Sequence, residues 1–499
     1  MALTDFRLPP HLLPLIARLE AFFGRADGEA FATGGFVRDV VLGRPLRDID
    51  ISTTGDPLEL ASRLAAELGA TQFALDRERR HARVLVPDLD VHIDLVPLHG
   101  TIDEDLRLRD YTIDALGIPV GQLASGAAPV IDPMGGVLDL RAGILRVVSA
   151  QSFDSDPLRM LRGARLAAQL GFEIEPESAA LIRQRAPSLR DAAVERQRDE
   201  LILILGSKRA AEGLRLADEL GLLSQVLPEL DEMRGVEQPG QHHWDVFGHG
   251  VEAVAALDGM LGPGEPAGAS HAWLWQELWG RIEWWPKAPG RWVEEMSPGV
   301  PRLAVLKLCA LLHDIGKPRT KSIDAGGRIR FFGHSEVGAN MAVALLRRLH
   351  LPGRVVSHVA TMIDAHLRPL QIAQFGAPTR RAVYRFFRDT GDAGIDTLFL
   401  TLADHLATAG PRVTLEGWRR HVAVVDYLLR MSFEQPVTAR SKALLDGDDI
   451  MREFGLQPGR GVGELLDLLR EAHASGEIST REEALALARR HLEHKARRR

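Results

Sequence analysis

The chain has 499 residues, 45% of them hydrophobic, enough for several packed cores, and three or four domains are expected rather than one. A formal net charge of -7 excludes a protein that coats nucleic acid indiscriminately, yet it permits a local basic groove, because binding follows the local field. No run of about 18 apolar residues is free of charge, so no membrane span is expected. The N-terminus lacks the basic region and apolar core of a signal peptide, and the single cysteine, Cys309, cannot close an internal disulfide, which fits a reducing cytoplasm.

Residues from about 8 to 24 carry helical spacing in Leu12, Leu13, Ile16, Leu19, Phe22 and Phe23, followed by glycine-rich punctuation. From Ala32 to Pro119 the short apolar runs IDIS, ARVLVP, VHIDLVPL and TIDALGIPV alternate with turns around one helical segment, Leu58–Leu68. This pattern predicts a small α/β head on a mixed sheet. IDPMGGVLDLRAGILRVV reads as a turn and a closing strand, and from Pro157 to about Leu230 the leucine spacing turns helical. PGQHHWDVFGHG marks the next boundary, beyond which almost everything reads as helix. The exception is a Gly/Pro-flanked insert holding six of the eight tryptophans: Trp273, Trp275, Trp279, Trp284, Trp285 and Trp292. Its simpler reading is an aromatic helix face packed on the body; the alternative is a partner or dimer contact. The expected division is a head over 1–150, a helical neck over 151–235, a helical metal-binding domain over 236–410 with the insert at 259–301, and a helical tail over 411–499.

The most informative run is ATGGFVRDVVLGRPLRDIDIS. Gly34 and Gly35 follow a strand-like segment and let the backbone approach a phosphate closely, and Arg38 just beyond can neutralise triphosphate charge. Asp48 and Asp50 lie two apart on a strand and so share a face. Two carboxylates side by side are costly unless a divalent cation sits between them, and Asp94 in VHIDLV is placed to supply a third. Oxygen ligands of this kind suit Mg²⁺ with substrate phosphates, and a pair of ions would activate a 3′-hydroxyl and stabilise leaving pyrophosphate. A lone Gly-Gly or Asp-x-Asp is weak evidence; joined in this order the two are hard to explain structurally.

With these residues the chain resembles the class II tRNA nucleotidyltransferases and bacterial poly(A) polymerases, nearly end to end. The resemblance implies that LRDYTIDA, through Arg109, Asp110 and Thr112, binds ribose and triphosphate. It implies that SDPLRMLR, through Asp156, Arg159 and Arg162, reads the incoming base. Independently, a carboxylate and a guanidinium three residues apart at a helix start can pair with the edge of cytosine or adenine, although alone such a pair would be an ordinary surface salt bridge. Arg165 continues the basic stripe and, with Arg196 and Arg198 of VERQRDEL, is a candidate for RNA contact. Three positions depart from the family pattern: Leu108 for arginine, Asp114 for asparagine and Ser155 for glutamate.

Downstream, LKLCALLHDIGKP sets His313 and Asp314 at the end of an apolar helix, where adjacent His and Asp can share a divalent ion. His249 precedes them, and His334, His366 and Asp404 follow. This order resembles the HD phosphohydrolases, which implies a second divalent centre (Ni²⁺, Mn²⁺ or Mg²⁺), phosphoester hydrolysis as a second activity, and phosphate binding by Lys317. In the tail, Leu465, Leu466, Leu468 and Leu469 predict a helix core, while the QPGR turn and the basic end KARRR are either RNA contacts or solvated ends. The combined expectation is template-independent addition of CMP or AMP to a tRNA 3′ end, using CTP, ATP and Mg²⁺. The alternatives are poly(A) synthesis, an HD hydrolase with a decayed head, and a non-catalytic RNA-binding module.

Overall fold

The computed structural model describes residues 8–89, 91–125, 129–240, 242–261, 272–374, 378–434 and 444–497. The chain divides into two compact units, Met1–Ile204 with Leu216–Val226, and Leu205–Arg215 with Leu227–Arg499. Parts of the tryptophan-rich insert and of the KARRR end lie outside the described residues.

The first unit is built on six strands: β1 (Ala30–Thr33), β2 (Asp48–Thr53), β3 (Thr71–Asp76), β4 (His81–Val86), β5 (Val91–Pro97) and β6 (Gly117–Pro119). Their order is β3-β4-β5-β2-β1-β6, with β2 and β5 parallel and the other neighbours antiparallel, which makes the sheet mixed as expected. Alternation decides which face is core. Ile49, Ile51, Ala82, Val84, Ile93 and Leu95 are fully buried, and helix Pro57–Leu68 contributes Leu60, Ala61, Leu64 and Ala65 to the packing over β3, β4 and β5. That helix starts where Asp56 accepts from the Leu58 amide at 3.0 Å and Pro57 presets φ. The residues between these apolar ones, including Asp48, Asp50, Arg83 and Asp94, share the opposite face.

One local expectation needs correction. GVLDLRA forms a helix, Gly136–Ala142, and only Ile144–Leu145 behind it is a strand. The carboxylate of Asp132 accepts from the amides of Gly136 at 2.7 Å and Val137 at 3.0 Å, satisfying helix-start donors that the turn reading ignored.

In the second unit helices Val246–Leu261, Arg302–Leu312, His334–Arg348, Gly353–Ala365 and Ala393–Ala409 pack together. The largely helical expectation holds apart from two small hairpins, Glu295–Ser297 with Val300–Pro301 and Ser322–Ile323 with Ile329–Arg330. The tryptophan-rich segment follows the simpler reading. Helix Ala272–Arg281 lies on helix Leu415–Glu434, where Trp418 donates to the Leu274 carbonyl at 2.9 Å and Trp284 to Asp426 at 2.7 Å. The tail closes its own apolar cluster with Ile450, Leu465, Leu469 and Ala488, while Leu466 and Leu468 pack at its margin. Among the described residues no helix is long and apolar enough to cross a membrane.

Candidate functional site

In the first unit the strand register assembles the acids. Asp50 is the direct neighbour of Asp94 across β2 and β5, and Asp48 is the neighbour of His92, whose Nδ1 lies 3.4 Å from the Asp48 carboxylate. The turn after β1 closes over them. Gly34 adopts φ +68°, a left-handed conformation that favours glycine, and a Cβ there would sit 3.6 Å from the Asp50 carboxylate and 3.7 Å from the Arg109 guanidinium. Arg109 is held in place by donating to Asp105 at 2.8 Å and Ser52 at 3.1 Å. Burial, and then repulsion from Asp94, pushes the Asp50 carboxyl up to about 7, against the pull of Arg109. A buried carboxyl crowded by further acids is one whose ionised form a cation would stabilise, so Asp50 and Asp48 are donors of the kind a divalent ion takes, while Asp94 is already met by Arg83.

The remaining head residues fall into two groups. Arg38 makes a fork to Asp39 at 3.0 Å and a third bond to Asp114 at 2.7 Å, and its side chain is 13% exposed, so its charge is met inside the protein. Asp114, the departure from the family's asparagine, therefore points into the fold. Asp110 accepts from Arg162 at 2.9 Å and from the Tyr111 amide at 3.0 Å; burial alone would raise its carboxyl, and Arg162 with Arg159 instead holds it low. Thr112 donates to Asp139 at 2.7 Å.

Asp156 stands just before helix Leu158–Leu170 and Arg159 in its first turn; the Arg159 amide donates to the Asp156 carbonyl at 3.1 Å, while their side chains take other partners. Asp156 pairs with Arg196 at 2.7 Å and accepts from the Leu158 amide at 3.2 Å. Arg159 reaches the Ser155 hydroxyl at 3.3 Å, so the serine that replaces the family's glutamate still touches this arginine. Arg165 pairs with Glu200 at 2.6 Å, and Arg198 lies 2.7 Å from Asp199. Sequence reasoning passed over Glu200, which gathers Arg162 and Arg165, and left Arg83 without a role although it grips Asp94 with two bonds of 2.7 and 2.6 Å. The β4 register, which sets Arg83 opposite Asp94, was the signal for the second.

The second unit brings its expected ligands together from five helices. Asp314 is the shared member. Its Oδ2 lies 3.5 Å from His249 Nε2 and 3.3 Å from His313 Nε2, and its Oδ1 lies 3.4 Å from His334 Nε2 and 3.9 Å from His366 Nε2. Asp404 joins the first group at 3.0 Å from His249. His249, His313 and Asp314, and separately Asp314, His334 and His366, offer ligand atoms within 4.8 Å of one another, and all five residues are buried. The Nδ1 atoms of His313, His334 and His366 are 2.8, 2.7 and 2.6 Å from the carbonyls of Ala310, Phe331 and Ile363, which leaves each Nε2 for the cluster.

Two features test the fit of this cluster to metal. His334 Nε2 and Asp314 Oδ1 are buried with no hydrogen-bond partner, which is costly unless something else satisfies them. Burial also lowers His366 to about 4, keeping it neutral and ligand-ready at ordinary pH. For His313, burial is outweighed by Asp314 and Asp404, which raise it to about 10 and reveal an excess of negative charge. Gly316 permits the close packing here, since a Cβ would fall 2.2 Å from the His334 carbonyl. Lys317 lies 2.5 Å from Asp314 and donates to Gln238 at 2.6 Å.

A glycine turn closing over a row of carboxylates on a mixed sheet defines a head of nucleotidyl-transfer type. The Poly A polymerase head domain matches residues 30–146, the probable RNA and SrmB-binding site of polymerase A matches 171–234, and the HD domain matches 290–409. His249 lies before the HD match, and its proximity to Asp314 and Asp404 ties it to the cluster. The chain is 37% identical over 470 residues to the A-adding tRNA nucleotidyltransferase of Deinococcus radiodurans, covering 93% of this chain and 96% of that protein. It is 36% identical over 464 residues to the CC-adding tRNA nucleotidyltransferase of Thermus thermophilus, covering 92% of each. The crystal structure of the Bacillus stearothermophilus CCA-adding enzyme in complex with CTP shares the fold, with a TM-score of 0.63 at 21% identity over 98% of this chain and 100% of that one. The chain therefore belongs to the family of tRNA nucleotidyltransferases and bacterial poly(A) polymerases.

Proposed function

We propose that the protein adds CMP or AMP to the 3′ end of tRNA without a nucleic-acid template, taking the nucleotide from CTP or ATP in the cytoplasm. The observation that carries this reading is the apposition of Asp50 and Asp94, with Asp48 two residues along the same strand and the Gly34 turn and Arg109 beside Asp50, in a chain whose full-length relatives bear CC- and A-adding names. Asp48 and Asp50 are the proposed Mg²⁺ ligands; bound Mg²⁺ would lower the barrier by offsetting charge on the attacking 3′-oxygen and the departing pyrophosphate. Gly34 and Gly35 let the backbone approach the triphosphate, and Arg109 supplies the adjacent positive charge. Asp156 and Arg159 present an acceptor and a donor to the base edge, with Arg196 and Ser155 setting their positions. Arg38 is assigned to holding the glycine loop rather than to the triphosphate, because three acceptor atoms already meet its guanidinium.

The test is incubation with Mg²⁺, labelled CTP or ATP, and three tRNAs: one lacking the whole CCA end, one lacking only the final A, and one complete. Incorporation into the first or second is expected, and which of them is extended separates CC from A addition. Addition of a long A tract to the complete tRNA would mean poly(A) synthesis, and no incorporation would sink the reading. For the second unit we propose phosphoester hydrolysis, supported by the unpaired His334 and Asp314 atoms aimed at one region. His249, His313, Asp314 and Asp404 would hold one divalent ion, and His334 and His366 with Asp314 a second; Ni²⁺, Mn²⁺ and Mg²⁺ are the ions to try.

A further inference from the structure

The acid-bearing face of the head sheet continues beyond the acids. The register sets Phe73 of β3 opposite Arg83 of β4, Arg83 opposite Asp94 of β5, and Asp94 beside Asp50 of β2. Direct cross-strand partners share a face, so these four residues form one row. Phe73 stands at its far end on the edge strand, 43% exposed, and Leu75, at the irregularity where the β3–β4 register shifts between Ala74 and Asp76, is 48% exposed beside it. Exposed apolar side chains occur singly elsewhere, as at Leu108 and Phe332, but here two lie on one edge strand in line with the acids.

The turn beside it is basic and preformed. Residues 76–83, DRERRHAR, hold four arginines against two acids. Asp76 accepts from the amides of Glu78 and Arg79, both at 2.9 Å, and Arg80, at φ +58°, is tied to Asp56. With Arg80 on Asp56 and Arg83 on Asp94, Arg77 and Arg79 are the exposed cations at the tip beside the apolar ledge, Arg79 in a loose surface pair with Asp76 at 3.8 Å. An aromatic platform flanked by exposed cations is what unpaired nucleotides require, since bases stack on rings and phosphates seek positive charge.

We infer that Phe73 and Leu75 form a stacking ledge for the unpaired 3′-terminal nucleotides of the RNA being extended, with Arg77 and Arg79 drawing in its backbone. The inference rests on the transferase reading, because it takes the RNA end to lie at Asp50. Three strand spacings put the ledge about 14 Å from Asp50. At about 3.4 Å per stacked nucleotide and more when extended, the stacked base is two to four positions from the reacting 3′ end.

The experiment uses the full-length protein and a tRNA transcript lacking its CCA end, with 2-aminopurine three positions from the 3′ terminus. Wild-type protein is expected to quench the probe, and F73A/L75A to bind without quenching. The double variant should raise the KM for RNA about 5- to 150-fold, the range for loss of one base stack, and leave the KM values for CTP and ATP within twofold. R77Q/R79Q should flatten the salt dependence of RNA binding by about 1.4 in log–log slope, the value for two phosphate contacts to a single strand. Both positions are exposed, so unchanged thermal melting is expected and is checked alongside. An unquenched wild-type complex with an unaltered RNA KM overturns the inference. So does a rise in the KM for CTP or ATP alone, which would give the ledge to the incoming nucleotide. Loss of self-association on sedimentation with an unaltered RNA KM would assign it to a second copy of the chain and overturn it too. Quenching without any nucleotide addition would leave the ledge standing while removing the transferase reading.

Discussion

The clearest quantitative consequence of the head geometry concerns pH. Asp50 sits against Asp94 and near Asp48, and burial with this repulsion raises its carboxyl to about 7. At pH 6 it is therefore about ten parts protonated to one ionised, and a divalent ion must displace that proton to bind. Apparent affinity at the head should fall about tenfold for each pH unit below 7 and level off above it. The sign for stability follows from the same shift. The folded pKa exceeds the unfolded one, so without metal this group's contribution is fully present below about 4 and is lost as pH rises through about 7. Metal should therefore raise the melting temperature more at pH 8 than at pH 5.5. The assay is Mn²⁺ titration followed by the electron paramagnetic resonance of the free ion, in a His313→Ala, Asp314→Ala background that removes the other centre. Asp50→Asn in that background should weaken binding and abolish its pH dependence. Affinity that stays flat from pH 5.5 to 7.5, or an unchanged slope in Asp50→Asn, would refute the argument.

Asp48→Ala or Asp50→Ala should abolish nucleotide incorporation while sparing hydrolysis by the second unit, measured on a model phosphodiester. His313→Ala with Asp314→Ala should do the reverse, eliminating hydrolysis and one class of bound metal and leaving CTP or ATP incorporation intact. Asp156→Ala should erode the preference for CTP and ATP over UTP and GTP, which is about 5- to 150-fold if one unpaired carboxylate sets it; equal rate loss for all four nucleotides in competition would mean that Asp156 does not read the base. Arg38→Ala strands the buried Asp114 carboxylate, Asp39 keeping Arg44 at 3.6 Å, and should destabilise the head by about 3–5 kcal/mol, whereas Asp114→Asn leaves Arg38 its Asp39 fork and should cost only about 1 kcal/mol, both measured by urea unfolding.

What the sequence disclosed and what it hid divide along the range of the interaction. Alternation in DIDIS and VHIDLV placed Asp48, Asp50 and Asp94 on strands of a head sheet, because a period of two depends only on neighbours in the chain. The clustered His and Asp residues of the second unit were legible through their order, and the fold draws them together from helices as far apart in sequence as His249 and Asp404. Partner choice was not legible. Nothing local says that Arg162 turns to Asp110, that Arg196 rather than Arg159 holds Asp156, or that Arg38 faces Asp114 across 76 residues. The helix Gly136–Ala142 was missed for a related reason: its start depends on Asp132, outside the apolar period being counted.

These partner choices also bear on the three departures from the family pattern, which taken singly suggest a decaying head. Leu108 is 58% exposed just beyond helix Ile102–Arg107, and the neighbouring Arg109 supplies the guanidinium that lies over Gly34. Asp114 is matched by Arg38 at 2.7 Å. Ser155 still bonds Arg159, and the carboxylate beside it, Asp156, has Arg196 as its own partner. A decayed site should show the opposite: buried charges without partners and no pressure to keep acids together. Among the described residues, the crowding of Asp50 against Asp94 in a buried setting raises the Asp50 carboxyl, which costs folding energy in the metal-free protein and is a strain that a bound cation would relieve. At neutral pH Asp50→Asn, which removes the charge and keeps the size, is therefore expected to raise the melting temperature of the metal-free protein.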